Sequence, residues 1–93
     1  MPSYRTIMTV TTLAPGRAPE EVEQAARAVT RLESWDIAIA AGQPRVTARF
    51  TAVDDSEARA THAAIVGGVC QVADVPRARL AAVVRGRSHY LTT

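Results

Sequence analysis

The chain has 93 residues, which is enough for one domain, here 1–93, with a thin core. Its formal charge is +2, so the positive excess is mild, but all eleven basic residues are arginine, whose planar two-pronged guanidinium suits carboxylates and phosphates. The single cysteine, Cys70, excludes an internal disulfide framework. Nothing at the N-terminus reads as a signal peptide and no apolar run approaches the ~20 residues that span a bilayer, so a cytoplasmic protein is expected.

The stretch YRTIMTVTTL, Tyr4 to Leu13, is rich in β-branched residues and free of Gly and Pro, which predicts a strand. The Pro15-Gly16 pair breaks it. Pro19 then suits the first turn of a helix, and Glu20, Glu21 and Glu23 suit its positive end. Val22, Ala25, Ala26, Val29 and Leu32 recur at helical spacing, which predicts an amphipathic helix from Pro19 to Glu33.

A second strand follows, with Trp35, Ile37 and Ile39 on one face. Gly42 to Arg45 reads as a tight turn into RVTARFTAV, Arg45 to Val53. In this third strand Val46, Ala48, Phe50 and Ala52 alternate with Arg45, Thr47, Arg49 and Thr51, so one face wants a core and the other does not. Asp54 can cap a second helix, with Glu57 at the acid position of a capping box. That helix carries Ala58, His62, Ile65 and Val69 in one stripe and is expected to falter at Gly67-Gly68. A last strand begins near Arg77 and loses its order toward the C-terminus.

The order strand, helix, strand, strand, helix, strand resembles the α+β ferredoxin-like plait, βαββαβ, in which two helices cover one face of a four-stranded antiparallel sheet. Val46, Ala48, Phe50 and Ala52 would then face the helices. Arg45, Thr47, Arg49 and Thr51 would lie on the bare side of a central strand, as a face for dimerisation or docking. Nucleic acid is disfavoured as a partner. Phe50, the aromatic of the third strand, alternates with the arginines, so it cannot serve as a stacking platform beside them.

The segments MTVTTLAPGRAPEEVEQAARAV and RFTAVDDSEARATHAAI are similar to the opening and the third-strand-plus-helix region of dimeric α+β barrel proteins, including the antibiotic-biosynthesis-monooxygenase-like group. The third strand departs from that pattern in lacking the large aromatic often found near its end. The resemblance implies a homodimer formed through open sheet faces, with a pocket between sheet and helices and no cofactor. On this reading Arg49, His62 and Trp35 are candidate ligand-binding residues: an anion anchor, a proton carrier and an apolar wall. The function expected is binding or transformation of a small anionic molecule, and the competing expectation is a non-catalytic module that docks a partner on its sheet. One cysteine and two scattered histidines make no metal site.

Overall fold

In a computed structural model describing residues 1–92, the chain forms an α+β fold of two helices and a five-stranded antiparallel sheet. The elements run β1 (Ser3–Thr9), β2 (Thr12–Leu13), α1 (Glu20–Arg27), β3 (Ser34–Ala40), β4 (Gln43–Thr51), α2 (Asp55–Cys70), β5 (Ala73–Asp74), β6 (Arg77–Val84) and β7 (Arg87–Leu91). The main sheet has the order β3-β4-β1-β6-β7, and β2 pairs with β5 in a separate two-stranded ribbon.

The sheet therefore has five strands where the sequence pattern predicts four. The extra strand comes from VVRGRSHYL, which turns back at Arg85-Gly86 to pair Arg87–Leu91 with β6, where loss of order was expected. Both turn residues have positive φ, 52° and 79°, the geometry of a two-residue hairpin. The β3–β4 hairpin repeats this with Ala41 and Gly42 at 53° and 77°. Its reversal lies two residues earlier than the Gly42–Arg45 turn predicted, and Gln43, Pro44 and Arg45 belong to β4.

Pro44 is tolerated inside a central strand because of backbone parity. Val10 donates to the Pro44 carbonyl and Ala52 to the Pro2 carbonyl, so even-numbered residues of β4 turn their peptide groups toward β1. The odd-numbered ones turn toward β3. The donor that Pro44 lacks would point at β1 beyond its last paired residue, Thr9, so no hydrogen bond inside the ladder is lost.

The two long elements expected to run on are cut short by competing pairings. The predicted first strand ends at Thr9, because Thr11 and Ala14 donate to Asp74 and Val72 and carry the chain over to β5. The predicted helix to Glu33 ends at Arg27. Leu32 is buried and Glu33 already donates its N–H to the Arg49 carbonyl, so sheet pairing overrides helical spacing over the last turn. At its start, Glu21 accepts the Ala18 N–H and pairs with Arg17, satisfying a donor that Pro19 cannot cap.

The second helix starts as predicted: the Asp54 carboxylate accepts the Glu57 N–H at 2.8 Å, and Glu57 accepts the Val53 N–H. It does not falter at Gly67-Gly68. A Cβ at Gly68 would meet the Ala25 carbonyl at 3.4 Å, so this glycine lets α2 lie close against α1. Cys70, the last residue of α2, is exposed.

The core lies between the sheet and the helices. Met8, Phe50, Ile65, Val69 and Leu80 are fully buried there, and Tyr4 stacks on Phe50 with ring centroids 5.9 Å apart. Each such large side chain contributes about 1.5–3 kcal/mol by leaving water.

The contrast between glycines is testable. Gly42→Ala places a Cβ on a left-handed residue and is expected to cost about 1 kcal/mol, whereas Gly67→Ala in the exposed last turn of α2 should gain about 0.5 kcal/mol. Urea denaturation of the two variants reads both signs.

Candidate functional site

The period-two pattern of β1 and β4 settles what each side of the sheet carries. On β1, Tyr4, Thr6 and Met8 face the helices, and Ser3, Arg5, Ile7 and Thr9 face outward. On β4, Val46, Ala48 and Phe50 are buried, while Arg45, Thr47, Arg49 and Thr51 lie on the uncovered side as expected. The registers place Arg77 and Arg79 of β6 on that same side, opposite Thr9 and Ile7. Ser88 and Tyr90 of β7 join them, opposite Val83 and Ala81.

Five arginines thus share one open face: Arg5, Arg45, Arg49, Arg77 and Arg79. Arg5 and Arg49 lie directly opposite each other across the β1–β4 pair, a like-charge placement that costs stability unless an anion answers it. Their own-chain partners are few. Asp36 is the one carboxylate on the described strands' open side, and it makes no ion pair among the described residues. Glu33, at the rim, approaches Arg49 Nε at 3.4 Å, but the contact is misaligned for a hydrogen bond and leaves that buried nitrogen unsatisfied. With both side chains about two-fifths exposed, at 37% and 44%, the pair is a weak tether.

A shallow depression of about 280 Å³ is set into this face, lined by Arg5, Ile7, Arg45, Thr47, Ser88 and Tyr90. Arg5 donates to the Ser88 hydroxyl at 2.8 Å, which holds its guanidinium across β6. Ala81, small and central, leaves room for that reach. Arg79 lies over the Tyr90 ring at 3.5 Å from its centroid, a cation–π contact that fixes the tyrosine at the depression's edge. The lining is two cations, three hydroxyls and one apolar floor.

The three residues singled out from the sequence as ligand-binding are not brought together. Arg49 is on the open side, whereas Trp35 and His62 are on the helix side. His62 is packed between α2 and β1, its Nδ1 hydrogen-bonded at 3.0 Å to the hydroxyl of the fully buried Thr6. Burial pushes its pKa below the ordinary 6.5, so the ring is neutral in the fold. Trp35 lines a second, apolar groove of about 220 Å³ with Val10, Leu13, Val22, Ile37 and Val46, and neither His62 nor Arg49 enters it. Tyr4 donates to Asp55 at 2.8 Å, and burial followed by that carboxylate pushes its pKa up to about 12.

Arg5, Ser88 and Tyr90 escape a reading of the sequence. Arg5 alternates with Tyr4 and Thr6 and could have been placed by the same period-two argument. Ser88 and Tyr90 required the Arg85-Gly86 reversal to be recognised. Among the described residues no cluster of His, Cys, Asp and Glu could hold a metal ion, and no helix is long and apolar enough to cross a membrane. Compared with known proteins, the chain matches no protein-family profile, no curated protein and no solved structure.

The neutral, buried state of His62 makes stability depend on pH. The unfolded chain takes a proton near 6.5 and the folded chain only below that, so stability is complete above this value and is lost as pH falls through it. Denaturation midpoints should drop between about pH 7.5 and 5.5, and His62→Gln should flatten that part of the profile.

Proposed function

We propose that this protein is a binding module built on a ferredoxin-like plait, and that the arginine-lined face of its sheet holds a small molecule bearing a carboxylate or phosphate. The strand order β3-β4-β1-β6, with helices crossing over on one side, is that of the plait, and β7 extends one edge. The observation that carries the reading is the depression itself. Arg5 and Arg45 enter it from neighbouring strands, with the Thr47, Ser88 and Tyr90 hydroxyls around them and no carboxylate to neutralise them.

Two guanidiniums and three hydroxyls supply donors for an oxyanion, and Ile7 supplies an apolar floor for the rest of the ligand. Bound anion would also relieve the opposition of Arg5 and Arg49. Binding is preferred over acid–base catalysis, because the lining holds no carboxylate or imidazole to move a proton near neutral pH. The filled space between α2 and the sheet, where His62 spends its Nδ1 on Thr6, supports the same preference. A face-to-face homodimer, the other use of this surface, calls for the same chemistry, since arginines from both copies would need anions between them.

Titration with phenyl phosphate and with benzoate, followed by amide chemical shifts, tests this reading. Shifts are expected on β1, β4 and β7. Arg5→Ser and Arg45→Ser should each weaken binding about tenfold or more, as loss of a charged hydrogen bond of about 1.5–3 kcal/mol implies. Arg87→Ser, on the opposite side of β7, should leave affinity unchanged. No response to either compound, or an equal loss in Arg87→Ser, would sink the proposal.

A further inference from the structure

The two edges of the sheet are unlike. The β7 edge is five residues long and carries Arg87 and His89, and its end is tied down where Arg59 donates to the Thr92 carbonyl. The β3 edge, SWDIAIA, is seven residues long, has no Pro or basic residue, and exposes Ile37 and Ile39 at 65% and 71%. An exposed edge with apolar side chains of this kind is a template for another strand unless something blocks it.

The backbone of β3 is arranged for such a partner. The two-residue turn makes Ala40 and Gln43 a hydrogen-bonded pair, so Ser34, Asp36, Ala38 and Ala40 spend their peptide groups on β4. The parity set by Val10 and Pro44 on the other side of β4 agrees. Trp35, Ile37 and Ile39 therefore point their N–H and C=O groups away from the sheet. Their side chains also line up on the helix side, where Trp35 and Ile37 line the apolar groove that short α1 leaves uncovered and Ile39 lies opposite Pro44 of its lining.

We propose that β3 pairs antiparallel with β3 of a second copy, about a two-fold axis through Ile37. Among symmetric registers this one pairs all seven residues. Ile37 meets the partner's Ile37, Trp35 meets the partner's Ile39, and the outward peptide groups of all three positions find each other. The six apolar side chains form one continuous strip that closes the two grooves.

Charge selects the same register. A shift of the axis to residue 36 would set the two Asp36 carboxylates directly opposite each other. With the axis at Ile37, Asp36 lies opposite the partner's Ala38, which is itself opposite the partner's Arg45. The separation is two strand spacings, about 9.6 Å, bridged over a side chain no larger than a methyl group. Asp36 and Arg45 have no ion-pair partner within their own chain among the described residues, and the two-fold supplies each with one. The axis is perpendicular to the sheet, so the product is a ten-stranded sheet with both arginine faces on one side.

One strand and one groove make a small interface, at or below about 1,200 Å², so the dimer should be weak and concentration-dependent. Light scattering across about 10 µM to 1 mM should show the mass rising from one chain toward two, and Ile37→Arg should stay monomeric with an unchanged circular dichroism spectrum. Crosslinking keeps the proposal testable if that variant misfolds. In a Cys70→Ser background, Ile37→Cys should form a disulfide dimer on oxidation, because paired Cα atoms lie about 5.5 Å apart. Ser34→Cys should not, because the two copies of residue 34 lie about 20 Å apart along the strands. Arg5→Ser should dimerise like the natural sequence, which separates this interface from the anion site. A monomer at 1 mM overturns the proposal (about the weakest association scattering can register). So does a dimer that Thr47→Cys captures through the sheet face while Ile37→Cys does not.

Discussion

The register between β1 and β4 is the constraint on which the rest depends. These two strands form the centre of the sheet, and each alternates a buried residue with an outward one. A slip of one residue in either strand would drive Arg5 or Arg49 under the helices and bring Phe50 or Met8 into water. The cost of burying an unpaired guanidinium makes that alternative inaccessible. The same pairing that fills the core with Met8, Phe50 and Val46 thus presents Arg5, Arg45 and Arg49 together on the other side. Core formation and the charged face are two consequences of a single register.

The helices set the second boundary. α2 runs for 16 residues and seats Ala58, His62, Ile65 and Val69 on β1 and β6, closing the middle of the core. α1 has only 8 residues and packs mainly against α2, so it does not reach across β3. The far edge of the sheet is consequently roofed in part. Trp35 is half-buried at the start of β3, while Ile37 and Ile39 beyond it remain exposed. Small residues elsewhere make this economical fold possible: Gly68 allows the helices to approach, and Ala81 opens space above the sheet for Arg5 to reach Ser88. In a chain with so few aromatics, area left unburied at one edge is a large fraction of the total.

Short-range signals made much of the architecture legible. The alternation in Arg45–Val53 separated the two faces of β4 correctly, and the Asp54–Glu57 cap located the start of α2. The places where the structure departs from the sequence pattern share one cause. The end of β1, the end of α1 and the position of the β3–β4 reversal are each decided by which distant strand is available: β5 for Thr11 and Ala14, Arg49 for Glu33, and Gln43 for Ala40. Local propensity cannot see those partners. The Arg85-Gly86 hairpin is hidden in the sequence for a different reason, since an arginine at positive φ is an uncommon turn residue.

The candidate site divides in the same way. By itself the sequence determined that arginines and threonines occupy one side of a central strand, because side-chain direction in a strand follows from spacing alone. Only the tertiary structure decided that Arg5 and Arg45 share a depression with Ser88 and Tyr90, that His62 is spent on Thr6, and that Trp35 belongs to a different groove on the opposite side of the sheet. Those groupings depend on which strands become neighbours and how far each helix reaches, and both are set by contacts between residues dozens of positions apart.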